Sequence, residues 1–232
     1  MKKIIIFVLL CSAALLIADD CSDELWQKAK SIAEVNWRWV AGEMELRVSA
    51  LDDNNSEMMT ASLMFSYEQE DGEIMGYYDG GTRSGNLIPE HDQIVQQFLS
   101  QDMTPDSSSI FLNSEDWKLE VTRTGVTDKI LKKKCAEFTF KGERPGEDGK
   151  PILMEGKVWL EQETGVPVYM EQTMYPPIEM VKRIDNNVTY QYKKDKFTVK
   201  KLESITAAEA MGQKVKMKNV AEFNKYWWYE SE

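Results

Sequence analysis

The sequence predicts an α+β fold dominated by antiparallel β-structure, with one sheet large enough to curl. Three observations lead there. Apolar residues recur at helical spacing in only two short stretches, near Leu25 and near Ile94. Elsewhere they alternate with polar residues, in runs joined by Asp, Asn and Gly turns, the pattern of meandering half-buried strands. The 232 residues contain no linker or low-complexity tract, and 42% hydrophobic with 29% charged residues is a globular composition that suits one domain.

The chain begins Met1-Lys2-Lys3, continues from Ile4 to Ala18 without a charge, and then reads Asp19-Asp20. The apolar run is shorter than the ~20 residues a membrane span needs. Its basic start and the small residue Ala18 predict a secretory signal peptide over 1–18, ahead of a single β-rich domain over 19–232. Cys11 follows Leu10 and Cys21 follows Asp20, so neither has the small preceding residue of a lipoprotein signal. The expected product is a soluble protein exported to a bacterial periplasm. In that oxidising compartment Cys21 and Cys135 either join in a disulfide or remain half-buried thiols.

Ser22-Asp23-Glu24-Leu25 opens a helix with a Ser cap and acids in the first turn, and Leu25, Ala29, Ile32 and Ala33 give it one apolar face. From Met44 to Ala50 the period becomes two, which marks a strand. Asp52-Asp53-Asn54-Asn55 turns the chain into a second strand, Met59 to Tyr67, and Asp71-Gly72 turns it into a third, Glu73 to Tyr78. Gly80 to Asn86 reads as a flexible loop. A short helix follows Pro89-Glu90, with Ile94, Val95, Phe98 and Leu99 on one face, and Thr104 to Ser109 reads as exposed. Trp117, Leu119 and Val121 alternate, as do Ala136, Phe138 and Phe140. Ile152 to Leu160 and Val166 to Met174 form a strand pair about Glu163-Thr164-Gly165. Val188 to Tyr192, Phe197 to Leu202 and Val215 to Tyr229 supply the last strands.

Charge and composition then remove whole classes of function. The net charge of −11 deepens to −13 once Lys2 and Lys3 leave with the signal peptide. So acidic a protein repels phosphate backbones, so nucleic acid is excluded as a partner, and contact with an anionic membrane is at most transient. His91 is the only imidazole, beside Glu90 and Asp92, with no nucleophile elbow near it. The cysteines lack metal-ligand spacing, Asp52 to Asn55 does not match an EF-hand loop, and neither Gly80-Gly81 nor Gly142 to Gly149 makes a phosphate cradle. No cofactor is expected, and no enzymatic activity.

The apolar residues carry more information. The chain holds 13 Met and 7 Trp, and they fall largely on strands. Met58 and Met64 oppose Met59, Leu63 and Phe65; Met75 and Tyr77 oppose Ile74 and Tyr78; Leu153 and Trp159 oppose Ile152 and Val158. Both faces of the sheet therefore need cover, and two short helices supply little. An adaptable apolar cavity follows, with Trp39, Met64, Met75, Trp159, Met170 and Met174 as its lining. A conventional filled core satisfies the same pattern.

Gly156-Lys157-Val158-Trp159-Leu160, then Thr164-Gly165-Val166-Pro167-Val168, Pro176-Pro177, the strand Val188 to Tyr192 and the ending Phe223-Asn224-Lys225-Tyr226-Trp227-Trp228 resemble the LolA/LolB-like family, in particular its divergent outer-membrane lipoprotein-sorting members. The resemblance implies a strongly curved, open antiparallel sheet, an incomplete barrel, covered by the amino-terminal helix and the short internal helix. It also implies lipid binding and transport without catalysis, the partner being a lipid, an acyl chain or an acylated lipoprotein. The carrier proper has an Arg-Pro pair on an early strand. Here the only Arg-Pro is Arg144-Pro145, outside Met44 to Tyr78, so no functional residue is carried over. The alternatives are a periplasmic sensor that meets an envelope protein through its acidic surface, and a small hydrolase built on His91.

Overall fold

The computed structural model describes residues 21–36, 38–71, 73–99, 110–112, 118–145, 150–176, 181–193, 196–210 and 213–230. The expected signal peptide and Thr104 to Ser109 lie outside them. Two helices and thirteen strands make up the described chain, the architecture expected from the sequence.

Helix α1 (Glu24–Asn36) starts where the sequence places it, but Asp23 rather than Ser22 caps it: the Leu25 amide donates to Asp23 Oδ1 at 2.9 Å. Its apolar stripe, Trp26, Ala29 and Ala33, is fully covered. Helix α2 (Gln93–Leu99) is capped in the same way by Asp92, which accepts from the Ile94 amide at 3.1 Å and from Arg83 at 3.0 Å. His91 lies in the turn before α2 and is exposed, not inside the helix.

The strands are β1 (Trp39–Val40), β2 (Glu43–Leu51), β3 (Glu57–Glu70), β4 (Glu73–Arg83), β5 (Asn86–Leu87), β6 (Lys118–Ile130) and β7 (Lys133–Pro145), then β8 (Pro151–Glu161), β9 (Pro167–Tyr175), β10 (Val181–Lys193), β11 (Lys196–Ala210), β12 (Gln213–Asn224) and β13 (Trp227–Trp228). Eleven form one curved, open antiparallel sheet in the order β5-β4-β3-β2-β12-β11-β10-β9-β8-β7-β6. The expected loop at Gly80 to Asn86 is instead strand through Arg83, a tight turn at Ser84-Gly85, and β5. Gly85 adopts a φ of 83°, which only glycine takes without strain. Strands β1 and β13 make a separate two-residue ladder, Trp39 against Trp228 and Val40 against Trp227.

Both helices lie on one face of the sheet, called the inner face below. Residues paired across antiparallel strands point the same way, and the line Phe138–Val158–Met170–Val188–Leu202–Ala221–Leu46–Leu63 runs from β7 to β3 without a break. Helix α1 covers one end of that line. Trp26 packs against Phe111 and Phe138, ring centres 5.0 and 5.7 Å apart, over Val158, Leu160 and Met170. Helix α2 covers the other end through Val95, over Leu46, Leu63 and Phe65. The core on this face is thus two clusters, and Leu202 touches both; a third, smaller cluster of Cys135, Trp159 and Val168 is buried on the other face.

Candidate functional site

Four residues along each strand from the covered line, beyond one intervening row, lies a second one: Met154, Met174, Ile184, Thr206, Met217, Ala50 and Met59, on seven neighbouring strands from β8 to β3. Strand spacing makes this row about 29 Å long. Period two puts it on the inner face, because each member is four residues along its strand from a member of the covered line. Met154 is buried, whereas Met217 is 42% and Met59 57% exposed. Four of seven positions are methionine, unbranched and polarisable, able to pack against a surface of variable shape. None of the seven side chains titrates. The row can hold an apolar chain by burying it, and it has no group that could move a proton.

The surrounding groups agree with that chemistry. Tyr190 packs against the α1 cluster with its hydroxyl 3.9 Å from Met170 Sδ, and burial pushes its pKa upward, so it stays neutral at any physiological pH. Tyr67, buried under α2, is pushed up to about 12 by the same desolvation. Among the described residues no group of three His, Cys, Asp or Glu converges as a metal site.

The other face is charged across β6 to β10. A trough of about 580 Å³ lies on it across β6 to β10, lined by Glu120, Lys141, Glu155, Lys157, Glu171 and Asp185 among others. Its charges are largely paired: Arg183 with Asp185 at 2.7 Å, Lys157 with Glu137 at 3.3 Å, Lys141 with Glu155 at 3.9 Å.

The structure spreads the six expected lining residues over the two faces of the large sheet and the small β1–β13 ladder. Met174 stands in the uncovered row, and Met170 lies under it in the α1 cluster. Met64 and Met75 point to the other face, 51% and 41% exposed, because they are one residue out of phase with Leu63 and Ile74. Trp159 is also on that face. It is buried with Cys135 and Val168, and its indole N–H donates to Asp128 at 3.3 Å. Trp39 stacks edge-on against Trp228 at 5.5 Å, in the small ladder away from the row. These four do not join Met170 and Met174. Cys21 and Cys135 are both free thiols, and they lie on opposite faces: Cys21 against the α1 cluster, Cys135 beside Trp159. The sheet runs between them, so no disulfide joins them here. Met59, Met154 and Met217 were not among the expected lining. The alternation within each strand contained them, but only the cross-strand register aligns them.

The fold and the row define a class of molecule: an open, curved antiparallel sheet whose helix-bearing face is left partly uncovered along an apolar line. No family model matches this chain, and no curated protein matches it in sequence. Two solved structures are similar at long range. One is a DUF1329 family protein from Desulfovibrio piger, 9% identical, with a TM-score of 0.33 over 88% of this chain and 91% of that one. The other is the MucA/MucB complex of Pseudomonas aeruginosa, 7% identical, with a TM-score of 0.26 over 89% of this chain and 98% of that one. At such scores neither fixes what this chain binds.

Proposed function

We propose that the protein is an exported periplasmic, non-catalytic carrier or binding protein for a lipid, an acyl chain or an acylated lipoprotein, held along the inner face of the sheet. The observation that carries this reading is the aligned methionine-rich row beside the two helix-covered clusters, buried at Met154 and open at Met217 and Met59. The basic, then apolar, amino-terminal segment of the sequence supports export. Met174 and Met217 line the ligand, and Met170 forms the floor beside them.

Burial supplies the affinity. Each fully buried methylene is worth about 0.8 kcal/mol, against an association cost of about 4–15 kcal/mol. A short chain on a face covered from one side falls below that cost, so the expected ligands are long-chain amphiphiles. The test is uptake of a fluorescent fatty acid, together with native mass spectrometry of protein purified from its own envelope. Affinity is expected to rise with chain length, by up to about fourfold per methylene. Met217→Glu, a change at an exposed position, is expected to weaken binding at least about tenfold without lowering the melting temperature. A clean apo mass with no uptake of any chain length would overturn the reading.

A further inference from the structure

Between the covered line and the uncovered row, the inner face carries four polar residues in register: Gln172, Asn186, Ser204 and Asn219, on β9, β10, β11 and β12. The neighbouring line on one side reads Met170, Val188, Leu202 and Ala221; on the other it reads Met174, Ile184, Thr206 and Met217. A row of three amides and a hydroxyl is a costly filling for the middle of an apolar face unless its hydrogen bonds are made. Part of the row is satisfied internally, since Asn186 Nδ2 donates to Gln172 Oε1 at 3.3 Å. At the far end it is not. Asn219 Oδ1 is buried and has no hydrogen-bond partner. It sits where cover ends, between buried Ala221 and exposed Met217 on the same strand.

An acceptor left without a donor distinguishes among ligands. A free carboxylate or an ester offers only acceptors and leaves Asn219 Oδ1 as it is. A ligand with an N–H or O–H beside its chain satisfies it, and since no bond anchors that carbonyl, turning the amide toward the row breaks none. Resting on the acyl-binding reading above, we infer that the ligand carries a hydrogen-bond donor at the head of its apolar chain, an amide N–H, accepted by Asn219, while the chain lies along Met217, Thr206, Ile184 and Met174. Ser204, on the next strand, then presents its hydroxyl to the adjoining carbonyl.

Two probes isolate the donor: N-dodecanoylglycine and N-dodecanoylsarcosine share chain, carbonyl and carboxylate, and differ in that an N-methyl replaces the amide hydrogen. Both are measured below their micellar concentration by displacement of a fluorescent fatty acid from the full chain. The glycine amphiphile is expected to bind about tenfold more tightly to the wild type. In Asn219→Ala, checked for an unchanged melting curve, that preference is expected to collapse toward unity while the sarcosine amphiphile keeps its affinity. Equal binding of the two by the wild type overturns the donor, whether or not the variant folds. A preference that survives in Asn219→Ala overturns the role of Asn219 and assigns the difference to the methyl group's bulk. If neither amphiphile displaces the fatty acid although the fatty acid itself binds, the donor falls and the acyl site stands. If the fatty acid does not bind either, both fall.

Discussion

Asp92 shows how much one side chain fixes at the α2 end of the molecule. Its Oδ1 accepts the Ile94 amide, opening α2, and the Arg83 guanidinium from the end of β4. Those bonds, the amide first, hold its carboxyl below the usual carboxylate range. A depressed folded value means that the stabilisation is complete above the ordinary carboxylate pKa and fades as pH falls through the depressed one. Asp92→Asn keeps a good helix cap and loses only the charge, so its melting temperature is expected to fall below wild type at pH 7 and to approach it in acid. Asp92→Ala loses the cap too and is expected to be the less stable variant at both pH values. Thermal melts at the two pH values check this, and a pH-independent gap for Asp92→Asn would refute the ionic contribution. Asp92 was legible in sequence as an acid near a helix start, whereas its partner Arg83 was not. The methionines show the same limit. Alternation puts Met64 out of phase with Leu63 and Phe65, but which phase is covered depends on where α1 and α2 land, and no local pattern contains that.

At the scale of elements, long regular strands were legible and polar ones were not. Strands β8 and β9 fall where alternation puts them, about the turn at Glu163 to Gly165. Strand β10 runs from Val181, well before the expected Val188, through Asp185-Asn186-Asn187, a triplet that reads as a turn. Pairing on both sides, with Gln172 and Glu171 of β9 and Ser204 and Glu203 of β11, overrides that local preference. Part of the polar row of the candidate site was hidden for this reason: Asn186 reads as turn, while Gln172 and Asn219 fall in expected strands, and only the register of four strands aligns them. Helix α1 was plain in sequence, and its worth can be stated. Trp26 is buried against Phe111 and Phe138 and closes the larger cluster. Trp26→Ala is expected to cost about 3–5 kcal/mol, seen as a lower urea midpoint with an unchanged slope. A loss under about 1 kcal/mol would mean that α1 contributes little to holding this end of the sheet.

The whole molecule depends on a seam far apart in sequence. Strand β2, near the start of the described chain, pairs with β12, near its end, from Leu51 against Lys216 to Glu43 against Asn224. On one side of it lie β2 to β5 and α2; on the other, β6 to β11 with α1. Strand β12 is the only described strand that joins the two parts of the sheet. Closing such long loops is slow, and until it happens Leu46 and Val48 stand on an open edge. The uncovered apolar row crosses this seam, running Met217 to Ala50 between β12 and β2. A bound amphiphile that also covers Ala50, next to Met217 across the seam, touches both parts of the sheet at once and is expected to stabilise the join itself, beyond the general effect of mass action, about 2.7 kcal/mol at a hundredfold excess over Kd. Hydrogen exchange separates the two. With a saturating long-chain amphiphile, the amides of Val48, Ala50, Met217 and Asn219 should slow more than those at the β7–β8 pair, which lies away from the seam under α1. Slowing of the same size everywhere would mean that the ligand stabilises only the global fold, and slowing confined to the polar trough of β6 to β10 would move the ligand to the other face of the sheet.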